Sequence, residues 1–164
     1  MRALFLQPVH RLAGFAPLVV RVLVGIIMAV HGWQKLQAGP ANFGAALANL
    51  GVPLPVFFGY VVTLVELIGG ILLLVGLVSR LAALLLTIDL VVAILLVKVN
   101  VGLLSPQDGG VGAELDLALI AGFLVILLAG PGRLSVDHAL GYEGDVVQEP
   151  PARRGRTRWR RTRL

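Results

Sequence analysis

Four apolar runs divide the chain: Leu18 to Leu36, Val56 to Val78, Leu81 to Val99, and about Val111 to Gly130. A hydrocarbon core about 30 Å thick is crossed by roughly 20 helical residues, and a backbone in lipid must satisfy its own hydrogen bonds. Continuous apolarity over such lengths, without alternation, therefore predicts four membrane helices. Between the second and third the chain reads Gly76-Leu77-Val78-Ser79-Arg80. That leaves room for one tight turn, so these two helices are antiparallel neighbours. Asn42 to Gly51 predicts a short helix outside the spans, capped by Asn42, stopped by Gly51 and followed by the breakers Pro53 and Pro55. Turn residues mark the next connection, Ser105 to Gly110, and Gly130-Pro131-Gly132-Arg133 closes the last helix. The expected fold is all-α: an integral membrane four-helix bundle over residues 18–137, between an N-terminal segment 1–17 and a disordered basic tail 138–164.

The polar positions inside these runs point to function. Glu66 and Asp89 each fall near the middle of a span, where an ionisable side chain is costly and by default marks a working site. Helical spacing puts Arg21, Gly25, Met28, Gly32 and Lys35 on one face of the first span, with His31 one turn before Lys35. Gly59, Thr63, Glu66 and Gly70 share a stripe of the second span, and Ala82, Leu86, Asp89 and Ala93 a stripe of the third. Small residues at this spacing let membrane helices approach closely, and the charged members must point into the bundle. His31, Lys35, Lys98, Glu114 and Asp116 gather toward one half of the spans; Glu114 and Asp116 sit in the first turn of the fourth helix, where the dipole favours carboxylates. Two lysines, one histidine and up to four carboxylates could thus form a single network that opens outward.

Charge orients the bundle. Of 164 residues 57% are apolar and 14% charged, against about 25% charged in ordinary soluble domains. All 12 arginines fall on one side of the spans or at its boundary, whereas Lys35 and Lys98 lie at the opposite helix ends. The outer loops, Gln37 to Pro55 and Asn100 to Gly110, contain neither Lys nor Arg. The positive-inside rule then predicts that both termini are cytoplasmic. The first span ends in a charged stretch from His31 to Lys35 instead of a small-residue cleavage site, which predicts a retained span and not a cleaved signal peptide. From Pro151 the tail carries seven arginines and no acid, so the rest of the chain has a net charge of −2. Such a tail suits anionic lipid; no nucleic-acid partner is expected, because Trp159 alone is no stacking platform.

The chain has no cysteine, which removes disulfides, thiolate nucleophiles and iron–sulfur ligation together. Any redox role would have to borrow its electron carrier. A bis-histidine haem would need two histidines in the membrane, and only His31 is inside a span. Glu114 and Asp116, two apart, do not share a helix face, so no metal site is expected. No phosphate-binding glycine loop or nucleophile elbow is present, and no covalent cofactor is expected. The pocket candidates are therefore His31, Lys35, Glu66, Asp89, Lys98 and Glu114. Glu66 reads either as a proton or ligand site or as a group locking the bundle against His31 or Lys35. Asp89 reads as a second such group, or as an acid bonded to Thr63 or Thr87. His31 and Lys35 suit an anion or a quinone carbonyl, and Arg21 and Arg80 are expected to snorkel to the cytoplasmic face as anchors.

The pattern Arg21…His31-Gly32-Trp33-Gln34-Lys35-Leu36, then Glu66 through Arg80 with Gly69-Gly70 and Gly76, then Glu114…Gly130-Pro131-Gly132-Arg133-Leu134-Ser135-Val136-Asp137, resembles the DoxX family of small four-helix bacterial membrane proteins. The likeness covers about Leu18 to Asp137. It implies a multi-pass protein of the bacterial cytoplasmic membrane. Relatives of that kind include quinone-linked, thiosulfate-oxidising DoxD-type subunits and members proposed to tether a sulfurtransferase and a superoxide dismutase into a membrane oxidoreductase complex. On that analogy Arg21, His31, Lys35, Glu66, Arg80 and Glu114 form the shared polar set, while Asp89 and Lys98 depart from the family pattern. The expected function is a membrane subunit or anchor of a redox or sulfur-stress complex, with a pocket for quinone. The alternatives are a small proton-coupled carrier built on Glu66 and Asp89, and a scaffold without chemistry of its own. Expected partners are the lipid bilayer and those redox enzymes, with a homo-oligomer left open.

Overall fold

The apolar runs become helices, and the polar breaks between them become their caps. The computed structural model describes residues 13–99, 102–104 and 112–142; among these it has no strand. Its helices are α1 (Ala16–Ala38), α2 (Pro40–Asn49), α3 (Pro55–Val75), α4 (Ser79–Ala93, prolonged by a wider π-helical turn Ile94–Lys98), α5 (Glu114–Ala129) and a single turn, α6 (Val136–Ala139). Proline begins α1, α2 and α3, where its missing N–H costs nothing. The tail beyond Tyr142, the connection around Ser105 to Gly110, and Arg2, His10 and Arg11 lie outside the described residues; the first residues of the expected tail, His138 and Ala139, belong to α6.

Three helices, Ala16–Ala38, Pro55–Val75 and Ser79–Lys98, are long and apolar enough to cross a membrane. Their outward faces carry Leu23, Ile26 and Val30 on α1, Ile68, Ile71 and Val75 on α3, and Ile88 and Val92 on α4, all about half exposed. Apolar exposure on this scale needs lipid to cover it. The fourth bundle helix is shorter than the run from Val111 suggested, at 16 residues. Gly112 and Ala113 stay outside it because the chain there folds back: Ala113 N–H donates to the Gly102 carbonyl at 3.3 Å and Glu114 N–H to that of Leu103 at 3.0 Å.

Helix α1 packs on α3 and α5, α4 closes the ring by packing on the same two, and α2 lies across α3 and the end of α1. Met28, Leu73, Leu86, Phe123 and Ile126 fill the centre. The α1–α3 contact is backbone against backbone. A Cβ at Gly70 would lie 2.8 Å from the Gly25 carbonyl oxygen, and one at Gly32 would lie 2.6 Å from Leu67 Cα. The small-residue stripes are therefore what brings Lys35 beside Glu66.

At the arginine-bearing end, the α3–α4 turn is held by a clasp from beyond α5. Gly76 ends α3 in the left-handed region at φ 76°, and Val78 comes two residues later at φ 49°. A β-branched residue there is strained and persists only where its surroundings hold it. Asp137 supplies the hold: its carboxylate accepts from Val78 N–H at 2.7 Å and Ser79 N–H at 2.8 Å, while its own N–H donates to the Gly76 carbonyl at 2.9 Å. Arg21 is placed differently from the expectation. It does not snorkel: it is 2% exposed, with Nη2 donating to the Leu134 carbonyl at 2.7 Å. The loop Gly130 to Ser135 folds over the start of α1 and encloses the guanidinium, with the Asp137 charge close by while Nε and Nη1 are buried without a hydrogen-bond partner among the described residues. Arg80 is exposed and donates to the Leu127 carbonyl at 2.9 Å.

Candidate functional site

Three of the expected pocket residues converge. Lys35, near the C-terminal end of α1, reaches back into the bundle and meets Glu66, half-way along α3, with Nζ to Oε1 at 2.5 Å. The close approach of Gly32 to Leu67 sets that spacing. Glu66 is 3% exposed and Lys35 25%, so the carboxylate is sealed while the ammonium stays reachable. Asp89 on α4 faces Glu66 within hydrogen-bonding reach and lies in the field of Lys35. Glu66 Oε2 is buried with no donor on it. Lys35 Nζ also sits 4.7 Å from the centroid of the Phe43 ring, a cation–π contact that ties α2 to the charged group.

These three side chains border a cavity of about 480 Å³ between α3 and α4, beneath α2 and the Gly51–Pro53 connection. Its other walls are almost wholly apolar: Phe43 and Leu47 from α2 and Leu50 just after it, Phe58 and Val62 from α3, and Val92 and Leu96 from α4 and its π turn. Phe58, Val92 and Leu96 are themselves exposed, so the mouth is lined by side chains that would meet acyl chains. Apolar walls around a few converging polar groups are the usual make-up of a small-molecule site. Sequence alone did not single out the α2 residues, although Phe43, Leu47 and Leu50 recur at i, i+4 and i+7. That period was the available signal for an apolar face turned onto the bundle.

The remaining candidates do not line this cavity, although Asp116 lies within the electrostatic reach of Asp89. Lys98 pairs instead with Asp116 of α5, Nζ to Oδ2 at 2.7 Å, both largely buried. The π turn explains the reach: Val99 N–H bonds the Ile94 carbonyl, and the extra residue in that turn rotates the positions beyond it by about 100°. His31 is half-buried on α1 and does not line the cavity. Glu114 is exposed at the start of α5, its carboxylate lying against Gly112. Thr63 and Thr87, considered as partners for Asp89, donate to the carbonyls of Gly59 and Ala83 on their own helices, each at 2.7 Å. Among the described residues no three His, Cys, Asp or Glu side chains group as metal ligands would.

Fold and cavity together define a class: a small helical membrane protein with an ion-paired, lipid-facing pocket. The family model DoxX matches residues 16–99, and the chain belongs to the DoxX family. It is similar to the "Uncharacterized membrane protein Rv3486" of Mycobacterium tuberculosis, 36% identical over 136 residues, which covers 74% of this chain and 78% of that one. It is also similar to the "Putative oxidoreductase CatD" of Bacillus subtilis, 35% identical over 122 residues, covering 73% and 83% of the two chains. No solved structure matches the chain at a significant level.

Proposed function

We propose that this protein is the membrane subunit of an oxidoreductase complex of the bacterial cytoplasmic membrane, and that its cavity receives the head group of a lipid-soluble quinone. One observation carries the reading: Lys35, Glu66 and Asp89 converge on an otherwise apolar cavity of about 480 Å³ whose mouth faces lipid. A quinone, when bound, would supply two-electron, two-proton redox chemistry. The residues present fit such a group. The walls suit an apolar ring, and the Lys35 ammonium is a donor suited to a carbonyl oxygen. Lys35 offers one positive charge against two carboxylates, and an unbalanced charge at this depth is costly. A proton held between Glu66 and Asp89 balances the set, occupies the otherwise undonated Glu66 Oε2 and is available for exchange at the cavity.

The electrons must come from a partner, because the chain holds no cysteine of its own. A sulfurtransferase and a superoxide dismutase are the partners that the family resemblance suggests; the name of the Bacillus relative supports an oxidoreductase role only. They would dock at the arginine-bearing end, which the charge pattern assigns to the cytoplasm together with both termini. The adjacency of Glu66 and Asp89 favours a second reading, a proton-coupled carrier of small anions.

The test is direct. Full-length protein in lipid nanodiscs is titrated with decylubiquinone and with a short-chain menaquinone, alongside Lys35→Met and Glu66→Gln. At least tenfold weaker binding is expected in both variants, and no change in His31→Gln. Equal binding in all four proteins, or none in any, sinks the quinone reading. Uptake of a small carboxylate into vesicles under a pH gradient, lost in Glu66→Gln, would establish the carrier instead.

A further inference from the structure

A second cavity, of about 420 Å³, opens at the other end of the bundle, bordered by Gly14, Phe15, Leu18, Arg133, Leu134 and His138. We infer that it seats the phosphate of an anionic membrane phospholipid. Its depth is the first argument. Helix α1 begins at Ala16 and α5 ends at Ala129, so the cavity lies where the apolar slab gives way to head groups.

Chemistry is the second. Arg133 carries planar guanidinium donors that match phosphate, His138 adds a ring N–H, and among the described residues no carboxylate borders the cavity. The nearest acid in sequence, Asp137, is turned away onto Val78 and Ser79. Beside these polar groups stand the apolar Phe15, 48% exposed, and Leu134, 60% exposed. A free phosphate ion gains nothing from them, whereas a phospholipid lays its glycerol and upper acyl chain there.

The third argument is that the loop is already built. The buried Arg21 holds the Leu134 carbonyl at 2.7 Å. Ser135 Oγ donates to the Gly132 carbonyl at 2.7 Å and accepts from His138 N–H at 3.1 Å. Arg133 and His138 are thereby carried on a fixed backbone, which lowers the ordering cost of binding. The Arg-rich tail attracts anionic lipid as diffuse charge; this cavity binds one molecule.

Native mass spectrometry of the full-length protein, titrated with phosphatidylglycerol, phosphatidylcholine or inorganic phosphate, tests the inference. One phosphatidylglycerol should be retained in preference to phosphatidylcholine. Arg133→Gln should weaken it about fivefold, the loss of one interfacial charge, and Arg133→Gln/His138→Ala more. Arg133→Lys keeps the charge but not the planar fork and should lose less affinity than Arg133→Gln. A tail variant, Arg158→Gln/Arg160→Gln, removes two charges against the one of Arg133→Gln and should leave the adduct intact. Because Arg133 is exposed, its substitution should keep helicity by circular dichroism. The inference is overturned if the adduct survives the double variant, if the tail variant loses it equally, if phosphatidylcholine is held as tightly, or if inorganic phosphate alone occupies the site as strongly.

Discussion

Replacing Gly32 by alanine asks whether backbone contact between α1 and α3 sets the ion pair of the cavity. The added Cβ would lie 2.6 Å from Leu67 Cα and 2.7 Å from Leu67 Cβ, where carbon atoms need about 3.5–4.0 Å. One neighbour is backbone, so no rotamer change relieves it, and the two helices must part locally by roughly 1 Å. Lys35 lies one turn farther along the same face of α1, and Glu66 precedes Leu67. The contact now at 2.5 Å then stretches to about 3.5 Å, too long for a charge-assisted hydrogen bond. Overpacking costs about 1–3 kcal/mol, and weakening that bond adds about 1.5–3 kcal/mol. The sum expected in detergent-induced unfolding, monitored by circular dichroism, is about 2.5–6 kcal/mol, with quinone affinity falling in parallel. Gly14→Ala, with nothing within 4 Å of the new atom, is the control and should change stability by less than about 0.5 kcal/mol. If Gly32→Ala matches that control in both measurements, the helix contact does not position Lys35.

Three other variants probe single contacts. Lys35→Met leaves Glu66 buried without its cation and should cost about 3–5 kcal/mol in the same unfolding assay; Lys35→Met/Glu66→Leu should recover most of that without recovering ligand binding. Lys98→Met breaks the second ion pair and should destabilise by about 1–3 kcal/mol, yet leave quinone affinity within about twofold; a tenfold loss would join Lys98 to the cavity. Asp137→Asn keeps one acceptor oxygen for the strained turn but removes the charge beside Arg21. It should lower stability by about 1–3 kcal/mol and raise amide hydrogen exchange at Val78 and Ser79, while unchanged exchange would show that the turn holds itself.

The helical membrane class and the depth of its charges were determined by the sequence alone. Span length, the short Gly76–Arg80 turn and the expense of Glu66 and Asp89 in lipid are all local properties, readable one segment at a time. The small-residue stripes through Gly32 and Gly70 likewise announced close packing. Pairing was decided by the tertiary structure. Lys35 and Lys98 look alike in sequence, each a lysine at the end of a span far from the arginines, yet one meets Glu66 across a glycine contact and the other meets Asp116 after a π turn. Arg21 reads as a surface anchor until a loop more than a hundred residues later closes over it. Asp137 drew attention only as the last residue of the family pattern, and its grip on Val78 needs two segments far apart in the chain. Period and composition report which face of a helix is buried, but not which side chain of another helix lies opposite. That is set by crossing distance, register and helix winding, which depend on all the contacts at once.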